Sequence, residues 1–134
     1  MRPYITDNIT EVFHASNHLF SKPDINKITQ NRVNHINGLI GLFFSTTNEE
    51  WIYGFGDHVY SIKIHDEFNY KIMSIRDFHK LTCTNVSDDA EQYFTDLRLE
   101  FLTNKIDYIL IEESDGTCGM GVFINLDIEL NKIN

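Results

Sequence analysis

The chain of 134 residues has the length of one domain, and its composition, 42% hydrophobic and 13% aromatic with two prolines, is that of a packed globular protein and not of a disordered one. Its formal net charge of -9 argues against direct nucleic-acid binding, which needs a face of clustered Lys and Arg. There is no apolar run of about 18 residues and no signal-peptide core, so we expect a cytoplasmic protein without a membrane span.

The uneven distribution of charge leaves two interpretations open. Residues 85–134 carry eleven Asp and Glu against three Lys and Arg, a net charge of -8 (3 - 11), so residues 1–84 carry only -1. An acidic surface of this kind either keeps a domain soluble or binds a basic protein partner. Cys83 and Cys118 have neither the number nor the spacing of a disulfide framework or a zinc site, so we expect two reduced, unpaired thiols.

Two strands are predicted in the first third of the chain. Residues 11–16, EVFHAS, alternate enough for a short strand, and the continuous apolar run GLIGLFFS at 38–45 is typical of a fully buried one. Between them, Lys22-Pro23-Asp24 interrupts regular structure before a polar stretch with helical character that extends to Val33.

Two short helices are predicted where a hydroxyl precedes an acid by three residues. Thr47 and Glu50 have this capping-box spacing, which predicts a helix over 48–53. Ser74 and Asp77 have the same spacing, so a second short helix is expected to follow Ser74.

A strand and the longest helix are predicted from their periodicity. In VYSIKI, residues 59–64, apolar side chains fall on one face and Ser61 and Lys63 on the other, so we expect a half-buried strand. Residues 88–104 have apolar positions at helical spacing, and Ser87 is placed to cap them. The positions expected to face the core are Ala90, Tyr93, Phe94, Leu97, Phe101 and Leu102.

A hairpin is predicted at the end of the chain. The strand DYILIEE covers 107–113, a turn falls at Asp115-Gly116, and MGVFINLDIEL begins the return strand at Met120. The order of strand, helices, strands, helix and hairpin predicts an α+β fold with mainly antiparallel pairing, in a single domain over 1–134.

The common catalytic motifs are missing from the sequence. It contains no GxGxxG, no phosphate-binding Gly-rich loop with Lys, no HExxH and no GxSxG, and its six histidines lack metal-ligand spacing, so no metal site is expected. His14, inside the apolar strand VFHAS, is either a core histidine bonded to the backbone or a ligand-binding residue.

The order of four segments resembles the ADP-ribosyltransferase superfamily, especially its small phage domains. These segments are VFHAS, then GLFFSTTNEEWIYGFGDHVYSIKI, then the long helix, then KIDYILIEESDGTCGMGVFIN, over about residues 11–128. The resemblance implies a fold of two small antiparallel sheets that face each other across a cleft for NAD, which serves as co-substrate.

The resemblance also implies roles for residues of the first strand. His14 would hydrogen-bond a ribose hydroxyl and take part in catalysis, and the backbone of Ala15 would pair with the nicotinamide amide, with Ser16 next to it. Ala15 stands where the family often has Gly, which crowds the approach of the ligand.

Further implied NAD contacts lie in the stretch after the second strand. Ser45 would be the ribose-side hydroxyl at the end of that strand, with Thr46 beside it. The ring of Tyr53 would stack on nicotinamide and complete the catalytic set, a contact worth on the order of 1 kcal/mol beyond its buried area.

The sequence departs from the family at the catalytic acid. The position that usually holds Glu is Met120, whose thioether is neutral and a weak hydrogen-bond acceptor. Glu112 and Glu113 are the candidate substitutes, and strand alternation sends them to opposite faces. The face of Ile109 and Ile111 is apolar up to Glu113, which favours Glu113 as the acid in the cleft. A pair of solvated acids at a strand end is the other interpretation.

Two functions follow from these observations. The first is a mono-ADP-ribosyltransferase-like protein that transfers ADP-ribose from NAD to a host protein, in the host cytoplasm if a phage encodes it. The alternative is a degenerate fold that binds NAD or ADP-ribose, or an acidic inhibitor of a basic protein partner. The sequence specifies neither the acceptor residue nor the oligomeric state.

Overall fold

The structure of the protein is a computed structural model that describes residues 2–17, 19, 22–23, 40–49, 56–82 and 90–133. This part of the chain contains seven strands and two helices. The strands are β1 (Glu11–Ser16), β2 (Leu42–Ser45), β3 (His58–Lys63), β4 (Tyr70–Ser74), β5 (Tyr108–Glu112), β6 (Met120–Phe123) and β7 (Asn131–Lys132); the helices are α1 (Ile75–Thr82) and α2 (Ala90–Thr103).

The strands form one mixed sheet in the order β4-β5-β6-β2-β1-β3-β7. Only β4 and β5 run parallel among the paired strands of the described chain, and the others are antiparallel. The prediction of an α+β fold with mainly antiparallel pairing is confirmed. The prediction of two separate small sheets is not, because the hydrogen-bonded ladders run without interruption from β4 to β7.

The junction between β2 and β1 is the narrowest in this sheet. In the described chain these strands share one register pair, Phe13 with Ser45. By contrast, β1 pairs with β3 along all six of its residues, and β2 pairs with β6 along all four. The sheet therefore consists of a four-stranded half, β4 to β2, and a three-stranded half, β1 to β7, that meet at one short contact.

Apolar side chains cover both faces of the sheet. On one face, Ile109, Ile111 and Val122 pack against both helices through Phe78 of α1 and through Phe94, Leu97 and Phe101 of α2. On the other, Leu42, Phe44 and Phe123 pack with Ile128 and Leu130 of the C-terminal segment. Both faces are thus buried, as in sheets that lie between two layers.

Strand β3 is more buried than predicted, because both faces of the sheet are covered. Ser61 and Lys63 were expected to form the more exposed side of a half-buried strand; Lys63 is exposed, but Ser61 is buried along with Val59, Tyr60 and Ile62. Sequence alternation at β3 identified the face of Tyr60 and Ile62, while burial of the other face depends on which segments cover it.

Both helices lie where they were predicted, and no end had been predicted for α1. The Ser74 hydroxyl accepts a hydrogen bond from the backbone N–H of Asp77 at 3.1 Å, which confirms the predicted cap of α1. Helix α2 lies within the predicted 88–104, whose first two residues and Ser87 lie outside the described chain. Tyr93 was expected in the core, but its side chain is exposed and its hydroxyl donates to the Leu81 carbonyl of α1 at 2.8 Å.

The predicted hairpin is confirmed. Gly116 has a φ of 84°, a left-handed conformation that glycine adopts without strain, and the N–H of Glu113 donates to the Thr117 carbonyl at 2.8 Å. The return strand ends at Phe123, because the N–H groups of Ile124 and Asn125 both donate to the Asp107 carbonyl.

The predicted helix over 48–53 lies mostly outside the described residues. Asn48 and Glu49 are described, and neither has helical structure. Residues 50–53, including Tyr53, are outside the described ranges.

Candidate functional site

Two of the predicted ligand residues, Ser45 and Met120, lie side by side at the narrow junction of the sheet. Ser45 is the last residue of β2, and it is the register partner of both Phe13 on β1 and Met120 on β6. Residues directly opposite each other in a ladder project to the same face, so Phe13, Ser45 and Met120 lie in one row on the helix-bearing face. Ile111 extends this row, because its register partner is Met120.

The side chain of His14 lies on the other face of the sheet. Its register partner is Tyr60, a member of the opposite core cluster, and it follows Phe13 directly in β1. Since side chains of a strand alternate between faces, His14 and Ser45 project in opposite directions. The structure therefore does not bring these two predicted ligand contacts onto one surface.

His14 links the two halves of the sheet. Its side chain is 7% exposed, and its Nδ1 hydrogen-bonds the Phe43 carbonyl of β2. A carbonyl oxygen only accepts hydrogen bonds, so Nδ1 carries the proton. The bond ties β1 to β2 next to their single register pair. Ala15 and Ser16, the two other predicted contacts of β1, are buried opposite Val59 and His58.

The three successive hydroxyl side chains after β2 have three different environments. Ser45, 2% exposed, donates to the Thr47 carbonyl at 2.6 Å and accepts from the Thr47 N–H at 3.2 Å, which leaves one acceptor lone pair on its oxygen. Thr46 is buried and donates to the Cys118 carbonyl at 2.7 Å. The Thr47 hydroxyl is buried and has no hydrogen-bond partner among the described residues.

Thr47 was not predicted as a site residue. A buried polar atom without a partner is rare in proteins and requires a reason, such as an unobserved ligand or water. The sequence signal was the capping-box spacing with Glu50, which assigned Thr47 to a helix start instead.

The two candidate acids lie at the end of β5. Glu112 pairs with Ser74 of β4, and alternation places it on the face of Leu110. Glu113 follows the last residue of β5, and continued alternation would place it on the face of Ile111 and Ser45. One carboxylate oxygen of Glu113 lies 3.8 Å from Nη1 of Arg2, and both acids are half-buried.

Electrostatics around the hairpin keep the thiol of Cys118 neutral. Burial, reinforced by the carboxylates of Asp7 and Glu112, raises the pKa of Cys118. In the turn, bonds from the Thr117 hydroxyl and N–H lower the pKa of the exposed Asp115. Cys118 is a free thiol, in agreement with its prediction, whereas Cys83 lies outside the described residues.

The aromatic-glycine run ends in a close contact with β1. A Cβ atom on Gly56 would lie 2.1 Å from the carbonyl carbon of Ser16, so only glycine fits. The N–H of Asp57 then donates to the Asn17 side chain at 3.3 Å. These contacts hold the end of β1 against the start of β3.

A cavity of about 570 Å³ lies elsewhere on the molecule. Phe68 and Ile128 form part of its wall, and Lys63, His65 and Asp127 contribute charged or titratable groups. Among the residues predicted to contact NAD, none of those that the structure describes lines this cavity.

Two classes of site have no candidate in the described chain. No three His, Cys, Asp or Glu side chains in these ranges are grouped so that they could hold a metal ion. Neither α1 nor α2 has the length and apolar composition that crossing a bilayer requires.

Comparison with known proteins finds a similar fold among solved structures. No protein-family model matches the chain, and no curated protein does. Among solved structures, the crystal structure of an anti-CRISPR protein is similar, with a TM-score of 0.51 and 14% sequence identity, covering 92% of this chain and 94% of that chain. At this identity the likeness concerns the fold alone, and it extends over nearly the full length of both chains.

Proposed function

We propose that the protein is an NAD-dependent ADP-ribosyltransferase that modifies a host protein. The observation that carries the proposal is the position of Ser45, in the single register pair that the described chain shows between β1 and β2 and directly opposite Met120. The resemblance in the sequence assigns the ligand hydroxyl and the catalytic-acid position to these two residues. Ser45 and Met120 pair on adjacent strands, so both can contribute to one NAD site.

The polar groups at this junction fit the carboxamide and hydroxyls of NAD. The Thr47 hydroxyl is buried without a partner among the described residues, and the Ser45 oxygen retains an acceptor lone pair. NAD, when bound, supplies a glycosidic bond to nicotinamide that is activated for transfer. Ser45 and Thr47 would bind its polar groups, while His14 acts as a positioning residue that holds β1 to β2.

Glu113 is the proposed catalytic acid because alternation continued from β5 favours the Ser45 face for its side chain. Positive charge develops at the ribose as the bond to nicotinamide breaks, and a carboxylate on this face would stabilise that charge and accept the proton of the acceptor group. The thioether of Met120 supports neither role. In this proposal, the carboxylate one strand away does the work of the usual Glu.

The proposed target is a component of a bacterial defence system. Support for this comes from the fold shared with an anti-CRISPR protein and from the resemblance to small phage domains. A protein target agrees with the net charge of -9, which disfavours nucleic acid as the acceptor.

Incubation with labelled NAD and bacterial lysate tests this function. We expect label on a discrete protein band, a loss of at least 100-fold in rate for Glu113→Gln, and little change for the matched variant Glu112→Gln. Melting with and without NAD separates binding from turnover, since a ligand that binds only the native state raises its stability. No NAD-dependent stabilisation and no labelled protein would refute the proposal.

A second function, inhibition by binding alone, is favoured by Met120 and by the acidic surface. Residues 90–133 contain nine Asp and Glu against three Lys and Arg, a net charge of -6 (3 - 9). Such a protein would block a basic partner without chemistry. Its effect in cells would survive Glu113→Gln, whereas the effect of a transferase would not.

A further inference from the structure

Strand β4 forms one border of the sheet and has an open side. It pairs with β5 along Tyr70–Ser74, and no described strand lies beyond it. Its first three residues are exposed. The unpaired N–H and C=O groups of such an edge can template the addition of another strand.

The ladder with β5 identifies which backbone groups point outward. The N–H of Tyr108 donates to the Asn69 carbonyl at 3.3 Å, and Tyr70 pairs with Tyr108. In a parallel ladder, every second residue of a strand directs its N–H and C=O groups to the same neighbour. Because Asn69 bonds β5, Lys71 does so too. Tyr70 and Ile72 therefore direct their N–H and C=O groups to the open side.

The same two residues present apolar side chains to solvent. Tyr70 is 53% exposed and Ile72 is 43% exposed, and by alternation they lie on one face of the strand. The ring of Tyr70 stacks on Tyr108, with 5.3 Å between the ring centroids, which fixes its orientation. A fixed aromatic ring beside an exposed Ile is typical of an interaction surface.

The edge is also cationic, in contrast with the rest of the chain. Residues 70–82 carry Lys71, Arg76 and Lys80 against Asp77, a net charge of +2 (3 - 1), and all four side chains are exposed. On the neighbouring strand, Asp107 already accepts hydrogen bonds from Asn69 and Asn125. Pairing with a second copy would bring two cationic edges together, whereas an acidic segment has complementary charge.

We propose that the open edge of β4 binds an extended acidic segment of a partner protein by strand addition. The backbone of the segment would pair with Tyr70 and Ile72, its apolar side chains would pack on theirs, and its carboxylates would lie near Lys71 and the cations of α1. Lys71 lies on the edge strand itself, whereas Asp107 and Glu112 lie at the two ends of β5, one strand further from the added segment, where screening weakens their fields. This site is separate from the one proposed for NAD.

The test uses a blocked peptide of alternating Val and Glu, and its counterpart of Val and Lys, with hydrogen exchange read by NMR. At saturating acidic peptide, the Tyr70 and Ile72 amides are expected to exchange at least tenfold more slowly, because they acquire a partner. The Lys71 amide, already bonded to β5, is expected to be unchanged. The Val–Lys peptide is expected not to bind.

Ile72→Pro tests the open edge of β4 without disturbing its pairing with β5. It removes an N–H that points outward, so the ladder with β5 keeps its bonds, and proline is tolerated on an edge strand in this position. We expect at least a tenfold loss of peptide affinity, and a loss of at least threefold for Lys71→Glu. Ile72→Thr, which keeps the N–H, is the second variant if the proline disturbs folding. Leu99→Lys, at an exposed apolar position on α2, is the control with unchanged affinity.

Several results would overturn the proposal. Strand addition would be ruled out if the Tyr70 and Ile72 amides did not exchange more slowly at about 1 mM acidic peptide. It would also be ruled out if Ile72→Pro bound the peptide as tightly as the unmodified protein. Dimerisation that Ile72→Pro abolishes would assign the edge to a second copy. Binding of a single-stranded oligonucleotide that Lys71→Glu abolishes and Ile72→Pro does not would assign the cations to nucleic acid.

Discussion

Residues 45–47 carry three adjacent hydroxyl groups that differ in their hydrogen bonds. The Ser45 hydroxyl closes a local turn, the Thr46 hydroxyl bonds the opposite hairpin, and the Thr47 hydroxyl is buried without a described partner. In the sequence all three are equivalent polar side chains at a strand end. Their environments are set by strands β2 and β6, whose residues are about 75 positions apart in the chain.

Thr46→Val and Thr47→Val are expected to change stability in opposite directions. Loss of the Thr46 hydroxyl leaves the buried Cys118 carbonyl without its donor, which costs roughly 1–3 kcal/mol. Replacing the Thr47 hydroxyl removes an unsatisfied polar atom, so the free energy of unfolding should stay within about 0.5 kcal/mol or rise. Urea unfolding measures both. Under the proposed function, Thr47→Val also weakens NAD-dependent stabilisation, and equal destabilisation of the two variants would contradict this assignment.

Tyr108 is expected to make stability depend on alkaline pH. Burial, together with Tyr70 and Asp107 nearby, raises the pKa of Tyr108 from 10.0 to about 12. The unfolded chain then loses its phenol proton first, so the stabilisation is complete below pH 10 and is lost as pH rises towards 12. The loss is on the order of 2–3 kcal/mol.

Urea unfolding at pH 9 and pH 11.5 measures this loss. Tyr108→Phe should reduce the decrease in the free energy of unfolding between the two pH values, because it removes the shifted group. Tyr4→Phe, at an exposed position, is the matched control and should retain the decrease. The same decrease in all three proteins would rule out Tyr108 as its source.

At the scale of elements, glycine in β6 permits close packing that the strand pattern does not reveal. A Cβ atom on Gly121 would lie 2.3 Å from the Ile109 carbonyl oxygen and 2.4 Å from the ring of Phe44. The ring of Phe44 can therefore lie beside Phe123, with 4.8 Å between centroids. Gly119 differs, because its nearest neighbour is the flexible end of Arg2.

Gly121→Ala and Gly119→Ala form a matched pair that tests this difference. At Gly121 the new methyl group meets a backbone carbonyl and a packed ring, so we expect a loss of at least about 2 kcal/mol. At Gly119 the Arg2 side chain can move, so the change should be under about 1 kcal/mol. Thermal and urea unfolding measure both, and similar losses at the two positions would contradict the packing argument.

Elements whose evidence is local were predicted best. Strand β1 follows from six alternating residues, the cap of α1 from Ser74 and Asp77, and the hairpin turn from Asp115 and Gly116, and all three are confirmed. The prediction of Tyr93 in the core was wrong, because helical spacing cannot tell a side chain in the core from one that bonds a neighbouring helix. The burial of Ser61 was missed for a similar reason, since its cover comes from elsewhere in the chain.

At the scale of the whole molecule, the net charge of -9 should make stability depend on salt. Repulsion among excess carboxylates destabilises the compact state, and salt screens it. We expect the melting temperature to rise by a few degrees between about 10 and 200 mM NaCl. Choline chloride should have the same effect if screening is the cause. A melting temperature that falls with added salt would mean that attractive ion pairs dominate instead.

The sequence by itself determined the α+β class, the positions of β1, β2, β3, β5 and β6, the start of α1, the helix at α2 and the acidic character, because these depend on residues near each other in the chain or on composition. Strands β4 and β7 were not predicted. Only the tertiary structure decided that seven strands join in one sheet, that His14 and Ser45 face opposite sides of it, and that Ser45 lies between Phe13 and Met120. The physical reason is register: a side chain's face depends on which strand pairs with its own and at which residue, and these pairings join residues up to 81 positions apart, as Leu42 and Phe123 are.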